Sequence, residues 1–535
     1  MQGKRPTIAS LNGIVAAAHP LAAQAGVGVL GQGGNAFDAA AATAAALNVV
    51  EPYMSGLSGM GMATCYVAAE QRVRTLDFVT PVPRNFPAGR FKARAELKRG
   101  AQGCGTPSNL AGWCELVRAY GKKTLAENFA PAITLARDGF PLIEYGVSVI
   151  NEVASELAAL PDLFADWASV YRPAIESAAF GDVLRQPALA RTFEAIASEG
   201  PGYLHGGPLG RALVAQAQRR GGCLTMADLE SVAPRWLDPL SASYRGLAIH
   251  SLPPPAEAFQ YLLTLRILEG FDVRTLERNG VDHLDIVYRA IRLAAGIRIA
   301  NNNPDAALLA SLLSDAHVDQ LRARVRDGKP VVGQVEQSAE PQPVSLAHEH
   351  TTSFSAADRD GNAVCVTQSL GSPFGCGVVM PEHGVCLNNF LHWGEVTAGS
   401  RNQLVPNAPL ALPLAPSIAT RDGEPVVVLG TPGSYGICQT QTQALVQYVD
   451  FGLSLQDAID APRARLWDGR KVQVEARVGE ATIAGLRERG HEIEVDAPWA
   501  KLVVGGMQGI AIDPRTRVLS GACDIRRDGA VAASP

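Results

Sequence analysis

Thr351 stands where a long polar run gives way to a strand-like one. Residues 326–350, RDGKPVVGQVEQSAEPQPVSLAHEH, are rich in Pro and Gln and lack periodicity, the composition of an exposed flexible segment. A cut at the His350-Thr351 junction would leave Thr351 with a hydroxyl and a free α-amine. The amine then serves as base for its own hydroxyl, and no imidazole or lysine is needed. An α-amine titrating at about 8 suits that work near neutral pH. Threonine is also common in strands, so the bare residues leave a plain strand-opening Thr open beside the nucleophile.

The segment that follows, TTSFSAADRDGNAVCVTQSL, is two strands around a DRDGN turn. A hairpin centred on Asp360 sets Thr351 opposite Ser369, each nine residues from the centre. Cross-strand Cβ atoms lie about 5 Å apart, within reach of a hydroxyl–hydroxyl bond that would orient Thr351. A second element, PVVVLGTPGSYG, is a strand over 425–429 running into a Gly/Pro turn and a helix from about Ile437. Backbone N–H groups at such a turn can converge on an anion; Gly that merely relieves crowding is the alternative. The run has no phosphate-loop lysine, and no GxSxG elbow occurs in the chain. The HEH before Thr351 puts two rings on one face of a strand but has no third ligand nearby, and CxxC, HExxH and EF-hand patterns are missing. No metal and no cofactor are expected.

These residues need elements to hold them. PLAAQAGVGVLGQ is a helix opened by Pro20 and closed at Gly33-Gly34, and a nearly all-Ala helix follows from Asn35, a favoured N-cap. GLSGMGMATCYVA and VRTLDFVTP are partner strands. Residues 115–330 read as mostly helical, with an amphipathic stretch at 288–299, and further helices fall near 437–449 and 480–490. Helix-rich then strand-rich order points to an α+β fold of packed sheet and helix layers.

Composition excludes several classes. Of 535 residues, 47% are hydrophobic and 19% charged, which rules out a disordered chain. A net charge of −5 carries no basic footprint for nucleic acid. Nine cysteines, an odd number without CxxC, argue against a disulfide framework and for small buried side chains. Asn12, Gly13, His19 and Pro20 interrupt the N-terminal apolar stretch, and the Ala39–Val50 run falls short of the about 18 residues a membrane span requires. A cytoplasmic protein with no membrane partner is the expectation.

Seven blocks, HPLAAQAG, GGNAFDAA, VEPYMSGLSGMG, TTSFSAADRDGNAV, LNN, APRARL and GACDIRRDGA, span residues 19–530. In sequence and order they resemble the γ-glutamyltranspeptidase family of N-terminal-nucleophile hydrolases. The resemblance implies a four-layer αββα sandwich made as one precursor and cut just before its nucleophile. The fragments would be a large 1–350 and a small 351–535, each the other's partner in one integrated fold. It implies Thr351 as nucleophile, His350-Thr351 as the processed bond, Ser369 as the orienting hydroxyl, and Gly433 and Ser434 as oxyanion amides.

The departures concern the substrate. Where the family holds the glutamyl α-carboxylate with an Arg and paired serines, this chain has Val79, Leu412 and Pro413. The Asn, Gln and Asp that hold the α-amino end correspond to Gly371, Phe390 and Trp393. A zwitterion placed there would strand two charges without partners. The expectation is therefore an amidohydrolase or acyltransferase taking a small-molecule amide with an uncharged or apolar acyl group. The alternatives are a true γ-glutamyltransferase or glutathione hydrolase with displaced anchors drawn from the arginines between 84 and 99, a cephalosporin-acylase-like or oxamate-type amidohydrolase, and a non-catalytic binder. His392 in LNNFLHW is the rival base.

Overall fold

Side chains alternate along a strand, so the hairpin at 352–369 decides which residues face which layer. The computed structural model describes residues 7–172, 177–333, 351–467, 469–499 and 504–535; His348, His350 and the rest of the 334–350 run lie outside the described residues. Strand Thr352–Asp358 pairs antiparallel with Ala363–Ser369, from Thr352 opposite Gln368 to Ala357 opposite Ala363. This is the register that a turn centred on Asp360 requires. Asp358 closes the turn by accepting from Asn362 N at 3.0 Å and Asn362 Nδ2 at 2.9 Å, and it also accepts from Ala36 N at 2.9 Å. One buried carboxylate thus ties the hairpin to the first turn of a helix.

The hairpin sits at the centre of a seven-stranded sheet, ordered Ala530–Ala533, Gly13–Ala17, Thr352–Asp358, Ala363–Ser369, Met60–Val67, Arg72–Asp77 and Arg235–Leu237. A second seven-stranded sheet runs Ile8–Ser10, Leu519–Cys523, Gln508–Ile512, Glu424–Gly430, Ser417–Arg421, Leu247–Ser251 and Leu240–Tyr244. Between them lies one apolar core, including Ile14, Ala357, Cys365, Val428 and Ile510. Phe354, Ala356, Val364 and Val366 face the opposite way, into a core shared with helices Pro20–Gly31 and Ala36–Val50. A third core joins the second sheet to helices Phe259–Leu268, Val281–Ala300 and Ile437–Val449. Four layers with three cores between them make the αββα sandwich.

The Ala-rich helix Ala36–Val50 starts where Asn35 caps it, with Asn35 Oδ1 accepting from Phe37 N and Asp38 N while Asp38 Oδ2 accepts from Asn35 N. The reading of 115–330 as mostly helical misses Leu240–Tyr244 and Leu247–Ser251, a hairpin on the edge of the second sheet. Its turn residues, Arg245 and Gly246, both have positive φ, 52° and 77°, the geometry of a tight primed turn. Arg at the first position hides that signal, because Asn or Gly is usual there. Among the described residues no helix is long and apolar enough to cross a membrane, and none of the nine cysteines is in a disulfide.

Candidate active site

Thr351 is buried, and its Oγ1 donates to Ser369 Oγ at 3.4 Å across the hairpin. Ser369 Oγ also accepts from Gly371 N at 2.9 Å, so a main-chain N–H holds the serine that holds the threonine. Both side chains point between the two sheets. Thr352, next along the strand, points to the helix layer, where its Oγ1 donates to Glu51 Oε2 at 2.8 Å. The carbonyl between them, Thr351 O, accepts from Arg527 Nη1 at 3.2 Å. Glu51 terminates helix Ala36–Val50 and is buried, which pushes its carboxyl up to about 7; Thr352 and Arg527 oppose that rise and Asp528 adds to it.

The strand that leads into the glycine turn packs on the hairpin from the second sheet. A Cβ on Gly430, the last residue of its strand, would collide with Ser353 Oγ and lie 2.7 Å from Cys365 Sγ, so only glycine lets the strand stack on the hairpin here. Past Gly430 the chain turns into a short 3₁₀ segment, Ser434–Gly436, and then helix Ile437–Val449. Gly433 has φ 128° and Ser434 φ 53°. A serine in the left-handed region costs on the order of 1 kcal/mol, and Arg465 braces the turn by donating from Nη1 to Gly433 O at 2.9 Å. Gly505 packs on Thr431 and Pro432, and Gly506 on the Arg527 side chain. The glycine turn and Thr351 are therefore linked indirectly, through Gly505-Gly506 and then Arg527.

The residues expected around the substrate separate into two groups. Gly371 has φ 95°, and a Cβ there would run into Asn389 Oδ1 and come within 3.3 Å of Trp393 Nε1. Trp393 in turn faces Tyr435 of the glycine turn, with ring centres 6.0 Å apart. Phe390 and Leu412 are buried in one apolar cluster, Val79 and Trp393 pack against it, and Pro413 is buried. Val79 and Trp393 open on different cavities, however. Val79 lines a cleft of about 500 Å³ with Val82, Val232, Pro255 and Leu410. Charges at that cleft are paired, Arg84 with Asp228 at 2.9 Å and Arg235 with Asp77 at 2.6 Å. Trp393 lines a cavity of about 30 Å³ with Tyr435, Arg94, Arg298 and Arg401.

His392 turns away from this chemistry. Its Nδ1 lies 2.9 Å from Arg94 O, and burial, with Arg94 nearby, lowers its pKa to about 4. Among the described residues no group of three or more His, Cys, Asp or Glu side chains could hold a metal ion. Glu51 and Arg527 escape a reading of the sequence although both fall inside quoted blocks, VEPYMSGLSGMG and GACDIRRDGA. They lie 301 and 176 positions from the residues they bond, and no local spacing announces such a contact.

Comparison with known proteins agrees with this geometry. The family model for γ-glutamyltranspeptidase matches residues 22–534. The chain is 33% identical to acylase ACY 1 proenzyme of Pseudomonas sp. (strain SE83), over 98% of this chain and 94% of that protein. It is 29% identical to glutathione hydrolase proenzyme of Bacillus subtilis (strain 168), over 97% and 91%. The crystal structure of cephalosporin acylase from Bacillus halodurans superposes with a TM-score of 0.91 at 28% identity, over 100% of this chain and 98% of that one. With its αββα layers and its match across nearly the whole chain, this enzyme belongs to the γ-glutamyltranspeptidase family of N-terminal-nucleophile hydrolases.

Proposed function

We propose that Thr351 is the nucleophile of a self-processing amidohydrolase or acyltransferase whose acyl substrate is not γ-glutamyl. In processing, Thr351 Oγ1 attacks the carbonyl carbon of residue 350, the peptide shifts to an ester, and water releases the 1–350 fragment. In turnover the freed α-amine takes the proton of the Thr351 hydroxyl as oxygen attacks the substrate amide. The N–H groups of Gly433 and Ser434 stabilise the oxyanion. The amine then passes its proton to the leaving nitrogen, and the acyl ester on Thr351 goes to water or to an amine acceptor. Ser369 orients the hydroxyl throughout.

The observation that carries the substrate reading is the apolar cluster of Phe390 and Leu412 with Val79 and Trp393 against it, beside a cleft whose charges are already paired. An acylase among the relatives supports the same reading. A glutathione-hydrolase activity with displaced anchors has two observations in its favour: a glutathione hydrolase stands among the relatives, and Arg94, paired with Glu395 at 3.4 Å, lines the cavity beside Trp393 and Tyr435. A panel of anilides separates the two. Neutral acyl anilides should give a higher kcat/KM than γ-glutamyl anilide; the reverse order would return the site to glutamyl chemistry and assign Arg94 to the carboxylate.

A further inference from the structure

Glu51 takes no part in the mechanism above, yet it holds the hydroxyl of Thr352, the residue that follows Thr351. It ends helix Ala36–Val50. Among the described residues, few groups face it. Arg527 and Asp528 come from the segment after Leu519–Cys523, Tyr53 from the turn after the helix, and Tyr145 from the start of helix Glu144–Leu157. Arg527 donates to Thr351 O at 3.2 Å and lies over the Tyr145 ring at 5.5 Å, while Asp528 Oδ2 accepts from Tyr145 N at 3.2 Å.

Among the described residues, the charges facing Glu51 before processing are one guanidinium and one carboxylate, and burial favours the neutral acid for Glu51 itself. Hydrolysis of the 350–351 peptide consumes one water and changes that count. The amide N–H of Thr351 becomes an α-ammonium, and the matching carboxylate leaves on residue 350. A second buried cation then appears on a residue already bonded to Arg527, and a nearby carboxylate offsets the cost of burying it.

We propose that Glu51 is the counter-ion of the Thr351 α-amine in the cut enzyme, losing its proton when the ammonium forms and setting the pH at which the amine is free to act as base. Glu51 is thus a positioning residue, and the inference rests on Thr351 being the nucleophile. A neighbouring carboxylate stabilises the ammonium and raises its pKa. The amine accepts the hydroxyl proton only when neutral, so the acidic limb of kcat/KM follows that pKa.

Glu51→Gln keeps the shape and an acceptor for Thr352 but removes the charge. In cut enzyme, verified by intact mass, its acidic limb should move to lower pH by about one unit. Glu51→Asp should keep the wild-type limb. Thr352→Val, which removes a hydrogen bond that favours ionised Glu51, should move the limb the same way by less and covers the case in which Glu51→Gln fails to process. An unmoved limb in the cut variants overturns the proposal. Thr351→Ala, run alongside, tests the reading beneath it: if it still self-cleaves and turns over, Thr351 is not the nucleophile, whatever the limb does.

Discussion

Ser369 decides where the Thr351 hydroxyl points, and it is itself held by the N–H of Gly371. Alanine at 369 removes one positioned bond, worth about 1 kcal/mol, and so should slow turnover by roughly five- to ten-fold. His392 keeps its ring on the Arg94 carbonyl and is neutral at pH 7, so His392→Ala should leave kcat within about two-fold. Comparing the two variants in already cut enzyme makes the check: a far larger loss of kcat in His392→Ala would mean an imidazole base and end the amine mechanism. At this scale the sequence was most informative. The turn chemistry of DRDGN is local, and a register counted from it reaches Ser369 without knowledge of anything outside the hairpin.

At the scale of elements the contact that matters is the crossing of strand Glu424–Gly430 over the hairpin. Ser353 Oγ lies there, bonded to Val366 O at 2.9 Å and near Thr367 Oγ1 at 3.2 Å, so it cannot swing aside without losing both. Gly430→Ala should therefore cost on the order of 1–3 kcal/mol through overpacking. Because the glycine turn begins at the next residue, kcat should fall more than KM rises. Urea unfolding read beside steady-state kinetics tests this; a fully stable variant with unchanged kcat would show that the two sheets tolerate more separation than the packing indicates. The strand, turn and helix of this element were all legible from PVVVLGTPGSYG. Its partner across the sheets was not, because a glycine needed for close approach looks the same in sequence as one needed for a turn.

The whole molecule interleaves its two halves. The first sheet takes Gly13–Ala17, Met60–Val67, Arg72–Asp77 and Arg235–Leu237 from before residue 350, and its other three strands from after it. The second sheet is shared in the same way, with Ile8–Ser10, Leu240–Tyr244 and Leu247–Ser251 from the first half. A cut before Thr351 would leave every strand pair in place. The purified protein should then run as two bands, 1–350 and 351–535, on a reducing or non-reducing denaturing gel and as one species in native size-exclusion, since no cysteine is in a disulfide. Thr351→Ala should give one full-length band. Two bands that also separate under native conditions would contradict interlocked sheets.

By itself the sequence determined what local chemistry determines: helix starts at Pro20 and Asn35, the hairpin register, the glycine turn, and a composition suited to buried layers. Each depends on residues within a few positions of one another, where sterics and hydrogen bonding act without help. Only the tertiary structure decided that Glu51 and Arg527 grip the two sides of the Thr351–Thr352 step, and that Val79 and Trp393 open on different cavities. Those outcomes depend on how four layers stack. Burial and the approach of distant charges, which together hold Glu51 near pH 7, exist only once the layers have closed.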